Sequence, residues 1–284
     1  VKTRWGMLLI VPLVVSAALL FGSQFVFLKQ SFFVDLPFGR KAASWSLANY
    51  TRILTDPYYL RTLWLTTYIS LAVAAACVGF GFPIAKVLAR RPSRWTTFLL
   101  CAIVLTSFIT TVIQIFGIVI VFRADGPINR ALLALGIVDR PFTIIGTPLG
   151  VIVGLVYASF GFGVMLMYAI VRTIPVTLDE AAAIHGATPL RTLWRVVLPL
   201  CLPGLIVAFL TIFNTSMGAF TSAALLGGGR VITLPVLIQR TMLLDVKYGM
   251  AGALAALLLL FVVLMNFVSI AILRRFRSVR LATV

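Results

Sequence analysis

Few residues in this chain could do chemistry, and most of them stand alone. His185 is the single histidine, and a lone histidine has no co-ligands with which to hold a metal. Cys77, Cys101 and Cys201 lie far apart in or at the ends of apolar runs. Without Cys-x-x-Cys spacing they read as small core hydrophobes, not as a disulfide or a metal set. The carboxylates are scattered through polar segments and form no acid/base pair that could support catalysis. Nucleotide hydrolysis needs a Gly-Lys-Ser/Thr phosphate loop, but Lys2, Lys29, Lys41, Lys86 and Lys247 all lack a preceding glycine. Gly227-Gly228-Gly229 runs into Arg230 and reads as a turn. The chain therefore reads as a non-catalytic protein with no cofactor or metal of its own.

One segment has a denser local logic. In 172–199, Thr177 and Glu180 have the spacing of a capping box, which predicts a helix start. Asp179 and Glu180 fall in its first turn, where the helix dipole favours carboxylates. Ala181, Ala182 and Ala183 propagate the helix, and Gly186 can take the left-handed stop conformation. Thr188 then caps a second short helix with Pro189 at its first position, and Pro199 interrupts that helix. A short helix of small residues can enter a groove on another protein, with Glu180 offering a carboxylate to a basic partner. A plain connector that touches nothing fits the local rules equally well.

The elements that position this segment are membrane spans. The chain has 284 residues, of which 61% are hydrophobic, and its mean hydropathy is +1.11. That is more apolar surface than one soluble core of this size can hide. Six apolar runs reach the ~20 residues a transmembrane helix needs: 6–28, 63–85, 96–122, 149–171, 200–226 and 249–273. All are too long and too uniformly apolar for barrel strands. The fold class expected is an all-α membrane protein, a single domain of six transmembrane helices with the 172–199 loop between spans 4 and 5. Lys2 and Arg4 before the first run resemble a signal peptide, but the run far exceeds the ~7–15 residues of a signal core and reads as a retained span. The stretch 127–135 reads as a short helix along the outer surface, or as a plain loop helix.

The net charge of +17 does not point to nucleic acid, because the Lys and Arg residues flank apolar runs instead of forming one patch. They divide almost evenly between the two sides. The side carrying both termini and the 172–199 loop has the shorter segments, hence the higher basic density, which places the termini in the cytosol. None of the six runs contains Asp or Glu, which argues against an ion-coupled secondary transporter. A passive channel would leave the 172–199 loop unexplained. Polar residues inside the runs mark a candidate translocation path: Ser107, Thr110, Thr111 and Gln114, then Tyr157 and Ser159, then Asn214, Thr215 and Ser216. Hydrogen bonding between helices is the alternative role for each of them. Gly161, Gly163 and Gly218 would allow close helix contact.

Glu180-Ala181-Ala182, then Gly186, then Leu198-Pro199 resembles the Glu-Ala-Ala loop of binding-protein-dependent ABC importer permeases of type I. His185 departs from the family's usual Asp, and Leu193 from its frequent Phe. Weaker stretches resemble the spermidine/putrescine-type permeases: 47–52, 79–90, 126–130, 135–139 and 225–229. The resemblance implies that Glu180, Ala181, Ala182, Ala183, His185 and Gly186 form a coupling helix seated in a cleft of a cytosolic ATPase. It also implies ATP and Mg bound by partner ATPase subunits, a second permease subunit (homologous or identical) and an extracytoplasmic solute-binding protein. The implied setting is the lipid of the bacterial inner membrane. The substrate class stays open among polyamines or related amines, amino-acid-like compounds and phosphonates.

Overall fold

The computed structural model describes the backbone at residues 2–36, 40–91 and 93–281, with side chains at those positions other than 2–9, 41–43, 107 and 272–281. Lys2, Arg4, Ser107 and the basic residues after Leu273 therefore lie outside the described side chains. The chain is helical nearly throughout: α1 Lys2–Gln30, α2 Ala48–Thr55, α3 Pro57–Arg90, α4 Arg94–Ser107, α5 Thr111–Phe122, α6 Pro127–Ala134, α7 Pro148–Arg172, α8 Thr177–Ile184, α9 Pro189–Thr192, α10 Leu198–Met217, α11 Thr221–Leu226, α12 Leu234–Leu243 and α13 Tyr248–Leu281. Between α1 and α2, strands β1 Phe33–Asp35 and β2 Lys41–Trp45 pair antiparallel. Among the described residues five helices are long and apolar enough to cross a membrane: Ile10–Gln30, Pro57–Arg90, Pro148–Arg172, Pro189–Met217 and Tyr248–Ala271. The pair α4 and α5 makes a sixth if counted as one span.

That pair departs from the sequence reading. Where hydropathy suggests one helix over 96–122, the chain bends by 101° between α4 and α5. No proline or glycine marks the break. The Gln114 amide instead donates to the carbonyls of Thr106, 2.9 Å away, and Ile109, 3.2 Å away, which the break releases from regular helical bonding. Backbone groups at membrane depth need a partner; the Thr106 carbonyl also accepts from the Ile109 amide at 3.2 Å, and Gln114 supplies a partner for the Ile109 carbonyl. A second departure concerns Pro199. The helix does not stop there, because a π-turn over Leu193–Val197 joins α9 to α10, with the Leu198 amide donating five residues back to the Leu193 carbonyl. The wider turn relieves the clash a proline ring makes with the carbonyl four residues before it.

The residues group into two compact units, 1–63 with 234–261 and 64–233 with 262–284. In the first, the hairpin is fastened by buried polar residues. The Asn49 side-chain amide donates to the Ser31 and Phe33 carbonyls at 3.0 and 2.9 Å, and Ser31 shares a hydrogen bond with Tyr50. Asp35 accepts from the Gly249 and Met250 amides at 2.7 and 2.8 Å, capping the start of α13 from more than two hundred residues away in sequence. In the second unit α7 packs against α10 and α4, and α11 against α5 and α7. Its core joins Phe82, Ala85 and Leu88 of α3, Val164, Met167 and Val171 of α7, and Val197, Cys201 and Leu205 around α10. Glycine sets the close approaches. A β-carbon on Gly163 would lie 3.0 Å from Ile212, and one on Gly161 3.3 Å from Ile103. Gly218 makes no such helix contact and ends α10 instead.

Candidate functional site

The 172–199 segment folds as two helices about Gly186. The Thr177 cap does not form. Val176 is the N-cap residue, itself in helical conformation, and no side chain caps α8; Thr177 is drawn into the first turn, and the Asp179 and Glu180 amides donate to the Val176 carbonyl. The stop matches its sequence signature. Gly186 sits at φ +74°, its amide donates to Ala183, and the Ala187 amide reaches back to Ala182. This double bond satisfies the last carbonyls of α8 and needs a residue free to adopt a left-handed backbone. Thr188 accepts from the Arg191 amide at 3.3 Å and starts α9 at Pro189.

No residue of α8 is buried. Glu180, Ala181, Ala183 and His185 are exposed, Ala182 is half-buried, and Ile184 is 85% exposed. The two adjacent carboxylates have opposite surroundings. Asp179 turns inward onto α3, with Oδ2 2.7 Å from Arg90 Nε and Oδ1 3.7 Å from Lys86 Nζ. Glu180 forms no ion pair among the described residues. The loop thus presents a free carboxylate, small side chains and an isolated isoleucine on an anchored helix.

The candidate path residues do not converge. Gln114 and Tyr157 line one apolar groove of 760 Å³, together with Thr106, Phe160 and Phe162. Thr110, Asn214 and Ser216 are not among its lining residues. Thr110 is exposed at the start of α5. Asn214 donates one hydrogen bond to Asn266 of α13 at 3.0 Å and accepts one from it at 3.2 Å, a contact that pairs the two helices. Ser216 is buried, and its hydroxyl finds no hydrogen-bond partner among the described residues. Asn266 was open to detection as an amide inside an apolar run, but its pairing with Asn214 has no sequence signal. The roles of Lys86 and Arg90 were hidden too, since both read as ordinary basic flanks of a span. No cluster of three or more His, Cys, Asp or Glu suited to a metal occurs among the described residues.

Residues 78–278 match the family described as binding-protein-dependent transport system inner membrane component. The chain belongs to that family. It is 33% identical over 221 residues to the spermidine/putrescine transport system permease protein PotB of Escherichia coli (strain K12), covering 78% of each chain. It is 29% identical over 213 residues to the molybdenum transport system permease protein ModB of Mycobacterium bovis, covering 73% of this chain and 79% of that one. Its fold matches a chain of a bacterial alginate ABC transporter solved in complex with its alginate pentasaccharide-bound periplasmic protein. The TM-score there is 0.80, with 17% identity and 96% of each chain covered. A chain of the MetNI methionine ABC transporter matches at a TM-score of 0.58 and 22% identity, over 78% of this chain and 99% of that one. The chain is a multi-pass membrane permease subunit of an ABC importer, and such subunits are not themselves the enzyme.

Proposed function

We propose that this permease subunit forms half of a path for a polyamine or related amine delivered by an extracytoplasmic binding protein, and that separate ATPase subunits drive it through α8. Both termini and α8 face the cytosol in this reading. ATP and Mg reside on the ATPase, and a second permease subunit, homologous or identical, completes the path. The observation that carries the reading is the exposed helix itself. Leaving Ile184 and the alanines in water gains nothing, whereas a cleft that accepts small side chains would bury them, and a basic group in it would pair with Glu180. PotB supports the amine. The spans carry no Asp or Glu to hold a cation, so Tyr157, Phe160 and Phe162 would contact it through their ring faces. Amino-acid-like compounds and phosphonates are the competing substrate classes.

The test is uptake of labelled putrescine or spermidine into vesicles carrying the full transporter with Glu180→Ala in this subunit. Uptake falls about tenfold while ATP hydrolysis persists, as expected when the coupling between two sites is lost. Full uptake by the variant, or uptake driven by an ion gradient without any ATPase, would overturn the reading.

A further inference from the structure

We infer that Lys86 and Arg90 are positioning residues that clamp the α8 loop to the end of α3 and carry its displacement into that membrane-spanning helix. This rests on α8 being the ATPase-facing element. The two cations stand four residues apart, on one face of the last turns of α3. Between them they hold the loop at three places. Before α8, Arg90 donates through Nη1 to the Ile174 carbonyl at 2.9 Å. Within α8, Arg90 and Lys86 take one oxygen each of Asp179. After α8, Lys86 Nζ donates to the Pro189 carbonyl at 3.5 Å. Entrance, helix and exit are therefore tied to little more than one turn of a single helix.

α8 has no buried residue, and Ala182 is the one apolar side chain in it that is half-buried. The ionic contacts are shielded enough to matter. The side chains of Arg90, Lys86 and Asp179 are only 12%, 14% and 20% exposed, so water and salt screen them far less than a surface pair. The clamp also divides the acids: Asp179 faces the cations behind the helix and Glu180 is left for what lies in front. Because Arg90 is the last residue of α3, a shift of α8 that drags it moves the end of a membrane-spanning helix and not a flexible loop.

Two measurements test this. The first uses the permease alone, with a nitroxide at Ile184→Cys in a Cys101→Ser background, since Cys77 and Cys201 are buried. Asp179→Asn should add a mobile component to the spectrum that the parent lacks. The second uses the whole transporter. Asp179→Asn and Arg90→Asp should each lower putrescine moved per ATP hydrolysed about fivefold or more, and the swapped pair Arg90→Asp with Asp179→Arg should recover at least half of that loss. An unchanged spectrum in Asp179→Asn, or a normal ratio in the single variants, overturns the clamp. If Glu180→Ala is defective while Asp179→Asn is normal, the clamp alone falls. If Glu180→Ala transports fully, the docking reading falls and the clamp's part in coupling falls with it.

Discussion

The loop around α8 and the hairpin region around Asp35 are both held by carboxylates reaching partners distant in sequence, yet one is finished and the other is not. Around Asp35 the side-chain hydrogen bonds go to the unit's own backbone and side chains. Asp35 caps α13, Asn49 satisfies two hairpin carbonyls, and Ser31 meets Tyr50. Phe32 stacks on Trp45 at 5.8 Å and meets Tyr50 at 5.4 Å. Around α8 only the rear is closed, by Asp179, Arg90 and Lys86, and the front keeps a bare carboxylate and an exposed isoleucine. On the proposed reading of α8, the difference separates a scaffold from a docking surface. A scaffold spends its polar groups on its own backbone, while a docking element is fixed in place but left chemically open.

If that contrast holds, changes at α8 spare stability and remove transport, and changes at the hairpin do the reverse. The largest effect is expected from Gly186→Val. A β-branched residue cannot keep φ +74° cheaply, so the α8 stop is lost although open space surrounds the position. Vesicle uptake should fall about tenfold or more, with insertion and thermal midpoint near the parent values. Next comes Asn49→Leu, which removes the two buried hydrogen bonds to the Ser31 and Phe33 carbonyls and should cost about 1–3 kcal/mol by thermal unfolding in detergent. Transport per folded molecule should change little. The smallest is Val246→Gly in the same unit as the hairpin. Val246 holds φ 54°, where a branched side chain is strained, so glycine should stabilise by about 1 kcal/mol in the same assay. A hairpin variant that stops transport without loss of stability, or a Gly186→Val protein that merely unfolds, would break the contrast.

The helical class and the α8–Gly186–α9 pattern could be read directly from residues, because both depend on interactions within a few positions. Hydropathy sums transfer of side chains to lipid, and the Gly186 stop involves bonds only five residues long. One local expectation failed, since α8 starts from Val176 and the Thr177 cap does not form; the other failures come from reliance on local rules. Hydropathy is blind to backbone direction, so Thr96–Phe122 looks continuous although Gln114 stabilises a sharp bend within it. Proline rules describe an α-helix and not the π-turn that lets one continue through Pro199. An amide in an apolar run shows that a partner is needed but not which one, and only packing of α10 on α13 chose Asn266 for Asn214. Asp179 likewise reads as a dipole-favoured acid until the fold sets α3 beside α8 and makes it the anchor of the loop. Local bonding rules are written in the chain, while the choice among distant polar partners is made by which helices the fold brings within about 3 Å.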